Sequence, residues 1–96
     1  MSYETSISGI RSALVRLDVS ANDVANATTE GHTNHRVVNT ARAGGGVDAR
    51  VERTDEPVAL EEEIAEQIVA AHELKANVAV LRTQAEMNDT LLDLLA

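Results

Sequence analysis

The sequence predicts a mainly α protein: an antiparallel helical hairpin or coiled coil of two terminal helices, joined by a short β-hairpin or extended linker. Three observations carry that expectation. Apolar residues recur at alternating spacings of three and four near the start. A glycine-interrupted, weakly alternating middle follows. An uninterrupted helical pattern, without Gly or Pro, then runs from Leu60 to Ala96.

The first element, residues 1–31, holds Ile7, Ile10, Leu14, Leu17, Ala21 and Val24. These spacings place one apolar stripe along a helix and approach a coiled-coil seam. The helical pattern extends from Tyr3 to about Thr29, and Gly31 beyond it suits the positive φ that ends many helices. Asn22 and Asn26 lie four apart near this end. Asparagine is a mediocre helix former because its amide competes for the backbone. The pair is read either as a solvent-exposed taper of the helix or as a packing and connector contact.

The middle, residues 32–56, alternates weakly. Val38, Thr40 and Arg42 stand on one side of a turn, and Val47, Ala49 and Val51 on the other. Gly44, Gly45 and Gly46 tolerate the backbone angles of a tight turn. A two-stranded hairpin is expected, and it needs a surface to lie against. No Gly-Lys-Ser/Thr follows the glycines, which excludes a phosphate loop.

The third element, residues 57–96, opens with Asp55 as a cap and Pro57 in the first turn. Ile64, Ala71, Val78, Ala85 and Leu92 recur every seven residues as one expected seam position. Leu60, Gln67, Leu74, Leu81, Asn88 and Leu95 supply the second. Gln67 and Asn88 are candidates for polar groups that fix register within a seam. The helix spans about 55 Å against about 40 Å for the first, so roughly ten of its residues are expected to lack an intrachain partner. The leucines of "NDTLLDLLA" lie there. Apolar surface of that kind is costly to leave wet, at about 25 cal/mol per Å². Self-association is therefore expected.

Composition agrees with thin helical packing. Phe and Trp are absent and Tyr3 is the single aromatic residue, so Ala, Val, Leu and Ile supply the apolar content. The net charge of -8 comes wholly from residues 51–96. That acidic half argues against nucleic-acid binding, which needs Lys and Arg for phosphates. The absence of cysteine excludes disulfides. No apolar run approaches a membrane span or a cleavable signal peptide.

Chemistry-bearing residues are few. His32, His35 and His72 are the histidines, and no carboxylate cluster near them in sequence completes a metal set. Ser8, Ser12 and Ser20 face no evident histidine. Glu61, Glu62 and Glu63 are adjacent and point in different directions around a helix. No enzymatic activity, metal, cofactor or small-molecule substrate is expected.

Two stretches carry a resemblance. "SGI" at Ser8–Ile10 and "RLDVSANDVANATTEGH" at Arg16–His32 supply Leu17, Asp18, Val19, Ala21, Asn22, Val24, Ala25, Asn26, Thr29 and Gly31. Near the other end stand Glu62, Glu63, Ile68, Ala76, Asn77, Val80, Leu81, Thr83, Met87, Leu91 and Leu92. In this order the two stretches resemble the terminal signatures of the bacterial flagellar basal-body rod and hook proteins, nearest the proximal-rod subgroup. The resemblance implies terminal helices packed as the inner coiled-coil layer of a tubular axial structure. It implies export through the flagellar type III apparatus without a cleaved signal peptide, then assembly in the periplasm with further copies and with related rod and hook subunits. It also places Asn22 and Asn26 in packing or connector contacts. Three departures stand out: Asp23 where the family repeats Asn, His32 where Tyr or Phe is usual, and a much shortened middle. The rival expectation is a closed coiled-coil adaptor of rod-like descent that remains cytoplasmic and does not polymerise.

Overall fold

The computed structural model describes residues 3–95. Helix α1 spans Tyr3–Ala25, strand β1 His35–Ala41, strand β2 Val47–Arg53, and helix α2 Leu60–Leu95. The two helices run antiparallel: Tyr3 meets Asn88 at one end, and Ser20 meets Gln67 at the other. The strands form one antiparallel hairpin with Val37 opposite Val51. Helix α1 lies between α2 and the hairpin, touching both. The expected mainly α architecture is thus present, and α1 is the surface on which the hairpin rests.

Two boundaries differ from the sequence reading. Helix α1 stops at Ala25 instead of near Thr29. Ala27 N–H already bonds to Val24 O, a tightened last turn, and the Asn26 amide reaches back to Asn22 O at 3.0 Å. Thr29 Oγ1 then donates to Asn26 Oδ1, so Asn26 organises the exit from the helix. Helix α2 starts at Leu60 instead of Pro57. Thr54 N–H donates to Asn34 O and Asn34 N–H to Glu56 O, which carries the ladder past its last formal pair and keeps this segment extended. Pro57 adds its own bias against a helical residue before it. Asp55 therefore sits outside the helix and does not cap it.

The hairpin turns through Arg42–Gly46, where Gly44, Gly45 and Gly46 all have positive φ. Gly46 is needed twice over, because a Cβ there would lie 2.6 Å from Ser8 Oγ.

The chain is long and thin, 63 × 25 × 14 Å, with a radius of gyration of 17.1 Å. A compact domain of this length would have roughly 12.5 Å. Its accessible surface is 6761 Å², against roughly 5,400 Å² for a compact monomer of this mass. Among the described residues the fully buried apolar side chains are Ala13 and Ala70. The fold has a contact line between helices where a globular protein has a core.

Candidate functional site

That contact line is built from small and polar residues. On α1 it follows Ser6, Gly9, Ala13, Arg16 and Ser20; on α2 it follows Glu63, Gln67, Ala70, Asn77 and Gln84. Ser6 Oγ donates to Gln84 Oε1 at 3.3 Å. Gln67 Nε2 donates to Ser20 Oγ at 3.1 Å, and Ser20 Oγ in turn donates to Glu63 O. Asn88 Nδ2 donates to the Tyr3 hydroxyl. Gln67 and Asn88, the expected polar seam residues, both bridge the helices. At Gly9 an added Cβ would stand 2.7 Å from the Asn77 amide, so the helices approach closely there. Arg16, 13% exposed, reaches Glu66 and Glu73, one heptad apart on α2. Its hydrogen bond to Glu66 holds the guanidinium proton more firmly than usual, against the opposing effect of burial.

The hairpin docks on a different side of α1, through hydroxyls. Ser8 Oγ accepts the Val47 amide at 3.1 Å while donating to Thr5 O. Ser12 Oγ donates to Asn39 Oδ1 at 2.8 Å. The outward surface of the hairpin is charged: Glu52 pairs with Arg36 across the strands and with Arg50 beside it. The Arg36 hydrogen bond, then that of Arg50, holds the Glu52 carboxyl below its ordinary range.

The apolar stripe read from the sequence lies elsewhere. Ile7, Leu14, Ala21 and Val24 are exposed, Leu14 at 49%, and Ile10 and Leu17 are only partly buried. On α2 the seam position expected at Ile64, Ala71, Val78, Ala85 and Leu92 is displaced by one residue. Glu63, Ala70, Asn77 and Gln84 face α1 instead, whereas Ile64 is 57% exposed and Leu92 64% exposed. The second position is nearer the expectation: Gln67, Leu74 and Leu81 are partly buried, but Leu60 and Leu95 are exposed. The displacement has a simple cause. Small residues at Ser6, Ala13 and Ser20 also recur every seven positions, and they let the backbones come closer than the Ile and Leu stripe would.

This displacement has a geometric consequence. Ile7, Leu14 and Ala21 each follow a contact residue by one position, a rotation of about 100°. Ile64, Ala71, Val78 and Ala85 do the same on α2. In an antiparallel pair the same rotation carries both sets to the same side of the plane containing the two axes. Arg16 and its two glutamates lie on the other side, with the hairpin. One broad flank therefore gathers the apolar stripes of both helices, interrupted on α2 by Lys75 and Arg82. The same helix also overruns its partner. Residues 89–95 extend beyond Tyr3, with Leu91, Leu92, Leu94 and Leu95 all more than half exposed. A mostly apolar groove of about 690 Å³ opens beside them, between Tyr3 and Met87.

No protein-family model and no curated protein matches the chain. Among the described residues, no helix is long and apolar enough to cross a membrane.

A second cluster lies where α1 gives way to the hairpin. Asp23 is fully buried. His32 Nε2 and His35 Nδ1 both stand 2.9 Å from its Oδ1, and the His35 amide donates to its Oδ2 at 2.8 Å. Burial alone would raise the Asp23 carboxyl, but the His35 amide and the two rings outweigh it and hold the group below its ordinary value. The sequence reading found no carboxylate to complete a set with His32 and His35. Folding supplies one, while His72 stands exposed on α2 and takes no part. Asp23 and His32, the two point departures from the resembled signature, are in direct contact. Asn22 is exposed, Asn26 shapes the helix exit, and Gly31 takes the expected positive φ of 80°. Two signals for Asp23 were available in the sequence: a carboxylate near a helix end, and histidines a short loop away.

Proposed function

We propose that this chain is a structural subunit that self-assembles through its terminal helices, in the manner of the flagellar rod proteins its two ends resemble. One observation carries the reading: the intrachain contacts use small and polar residues, and the apolar stripes of both helices remain together on one uncovered flank. A monomer has little reason to keep Ile7, Leu14, Ile64 and Val78 on one side of a charged hairpin. A subunit whose apolar flank meets neighbours, and whose hairpin faces away from them, does. The overhanging leucines extend that surface along the long axis and offer the next subunit a continuation. The partners are further copies and related rod and hook subunits, reached after export through the flagellar apparatus, with no reaction and no cofactor in the assembly.

Light scattering across a concentration series tests this, with far-UV circular dichroism on the same samples. The native chain should grow in mass without a ceiling. Leu14→Asp, at an exposed position, should hold the mass at one chain while keeping its helicity. A native mass fixed at dimer or tetramer would replace the rod reading with a closed adaptor. A Leu14→Asp variant that assembles like the native chain would remove the flank from the interface.

A further inference from the structure

We infer that Asp23, His32 and His35 form a binding site for one zinc-class divalent ion, where α1, its connector and β1 meet. The inference stands apart from the assembly reading, since the cluster lies on neither the apolar flank nor the overhang.

The three groups arrive from three separate pieces of chain: the last turn of α1, the loop after Gly31 and the first residue of β1. Their donor atoms lie within 4.8 Å of one another. Two imidazole nitrogens and a carboxylate oxygen are a donor set suited to Zn²⁺, Co²⁺ or Ni²⁺ and ill suited to Mg²⁺ or Ca²⁺. Tetrahedral zinc, with bonds of about 2.0–2.1 Å, sets neighbouring ligands about 3.3 Å apart. Each ring therefore needs to retreat from the carboxylate by about 0.4 Å. The two ring nitrogens, within 4.8 Å of each other, need to settle at the same spacing, and rotation of partly exposed side chains makes both adjustments.

The protonation states allow the exchange. An ionised carboxylate only accepts hydrogen bonds, so in the metal-free chain each ring presents a proton toward Asp23. A neutral imidazole moves that proton to its other nitrogen and offers a lone pair. The carboxylate is already oriented, because the His35 amide holds Oδ2 while Oδ1 faces the rings. Such support of a ligand is typical of metal sites.

An opening of about 300 Å³, bounded by Glu30, His32, His35 and Arg53, gives an ion a way in and leaves room for water as a further ligand. Among the described residues that line it, Arg53 brings an opposing charge. Its guanidinium is tied back to Thr33 Oγ1 and Gly31 O.

The test uses the full chain without a tag. Histidine ring resonances are followed by NMR during a Zn²⁺ titration, and affinity is taken from competition with a chromophoric chelator. One equivalent of Zn²⁺ should shift His32 and His35 and leave His72 in place. His32→Gln and His35→Gln should each weaken binding by at least roughly 10-fold, and His72→Gln should leave it unchanged. Co²⁺ should give the visible bands of a low-coordinate site. The inference is overturned if His32 and His35 do not respond at one equivalent, or if His72 responds equally. Because the titration reads the native chain, a variant that folds poorly does not obscure the answer.

Discussion

Arg16 shows at the level of one residue how this fold is held. It is mostly buried between two glutamates of α2 that are each nearly half exposed. The acidic residues of α2 thus also clamp α1. Arg16→Met keeps the aliphatic stem and removes the charge. It should lower stability by about 1–2 kcal/mol, after allowing for solvent screening of the carboxylates. Urea unfolding in dilute solution reads this directly, and an unchanged midpoint would mean the ion pairs contribute nothing net. Asp23 is the contrasting case. The sequence places it near a helix end with histidines a short loop away, but its burial depends on a loop and a strand that only folding brings back to the helix.

Among the elements, α1 is the one on which everything else rests. It has three sides: a small-residue side to α2, a serine side to the hairpin, and an apolar side to solvent. The hydrophobic spacing revealed only the third of these. It was legible because Ile, Leu and Val dominate any such pattern, whereas Ser6, Ala13 and Ser20 repeat just as regularly without attracting notice. Gly9 marks a point of close approach. Gly9→Leu should force the helices apart where a Cβ alone would meet Asn77 at 2.7 Å. The expected cost is about 1–3 kcal/mol, the usual range for overpacking. A lower midpoint in thermal unfolding is the expected sign, and a gain in stability would show that α1 and α2 are not held this closely in solution.

At the scale of the whole molecule, shape and surface point to association. The excess of accessible surface over a compact monomer is comparable to what one partner contributes to a stable interface, about 800 Å² or more. The overhang provides a separate test. Replacing Leu91 and Leu92 by Ser should reduce the mass reached at a given concentration while leaving helicity intact, since both side chains are more than half exposed. Light scattering and circular dichroism on the double variant decide it. Native-like mass would place the tail outside any interface, and lost helicity would mean it supports α2 itself.

The sequence by itself determined the elements and their order, and it raised the expectation of partners. Helix periodicity, triple glycine and exposed leucines are local signals, each readable from neighbouring residues. Only the tertiary structure decided which stripe faces which. An antiparallel pair can close on either of two heptad positions one residue apart, and hydrophobicity alone favours the larger side chains. Close backbone approach at Gly9, the ion pairs of Arg16 and the serine contacts to the hairpin select the smaller ones. That choice leaves the apolar stripes outside, and it carries Asp23 inward to His32 and His35.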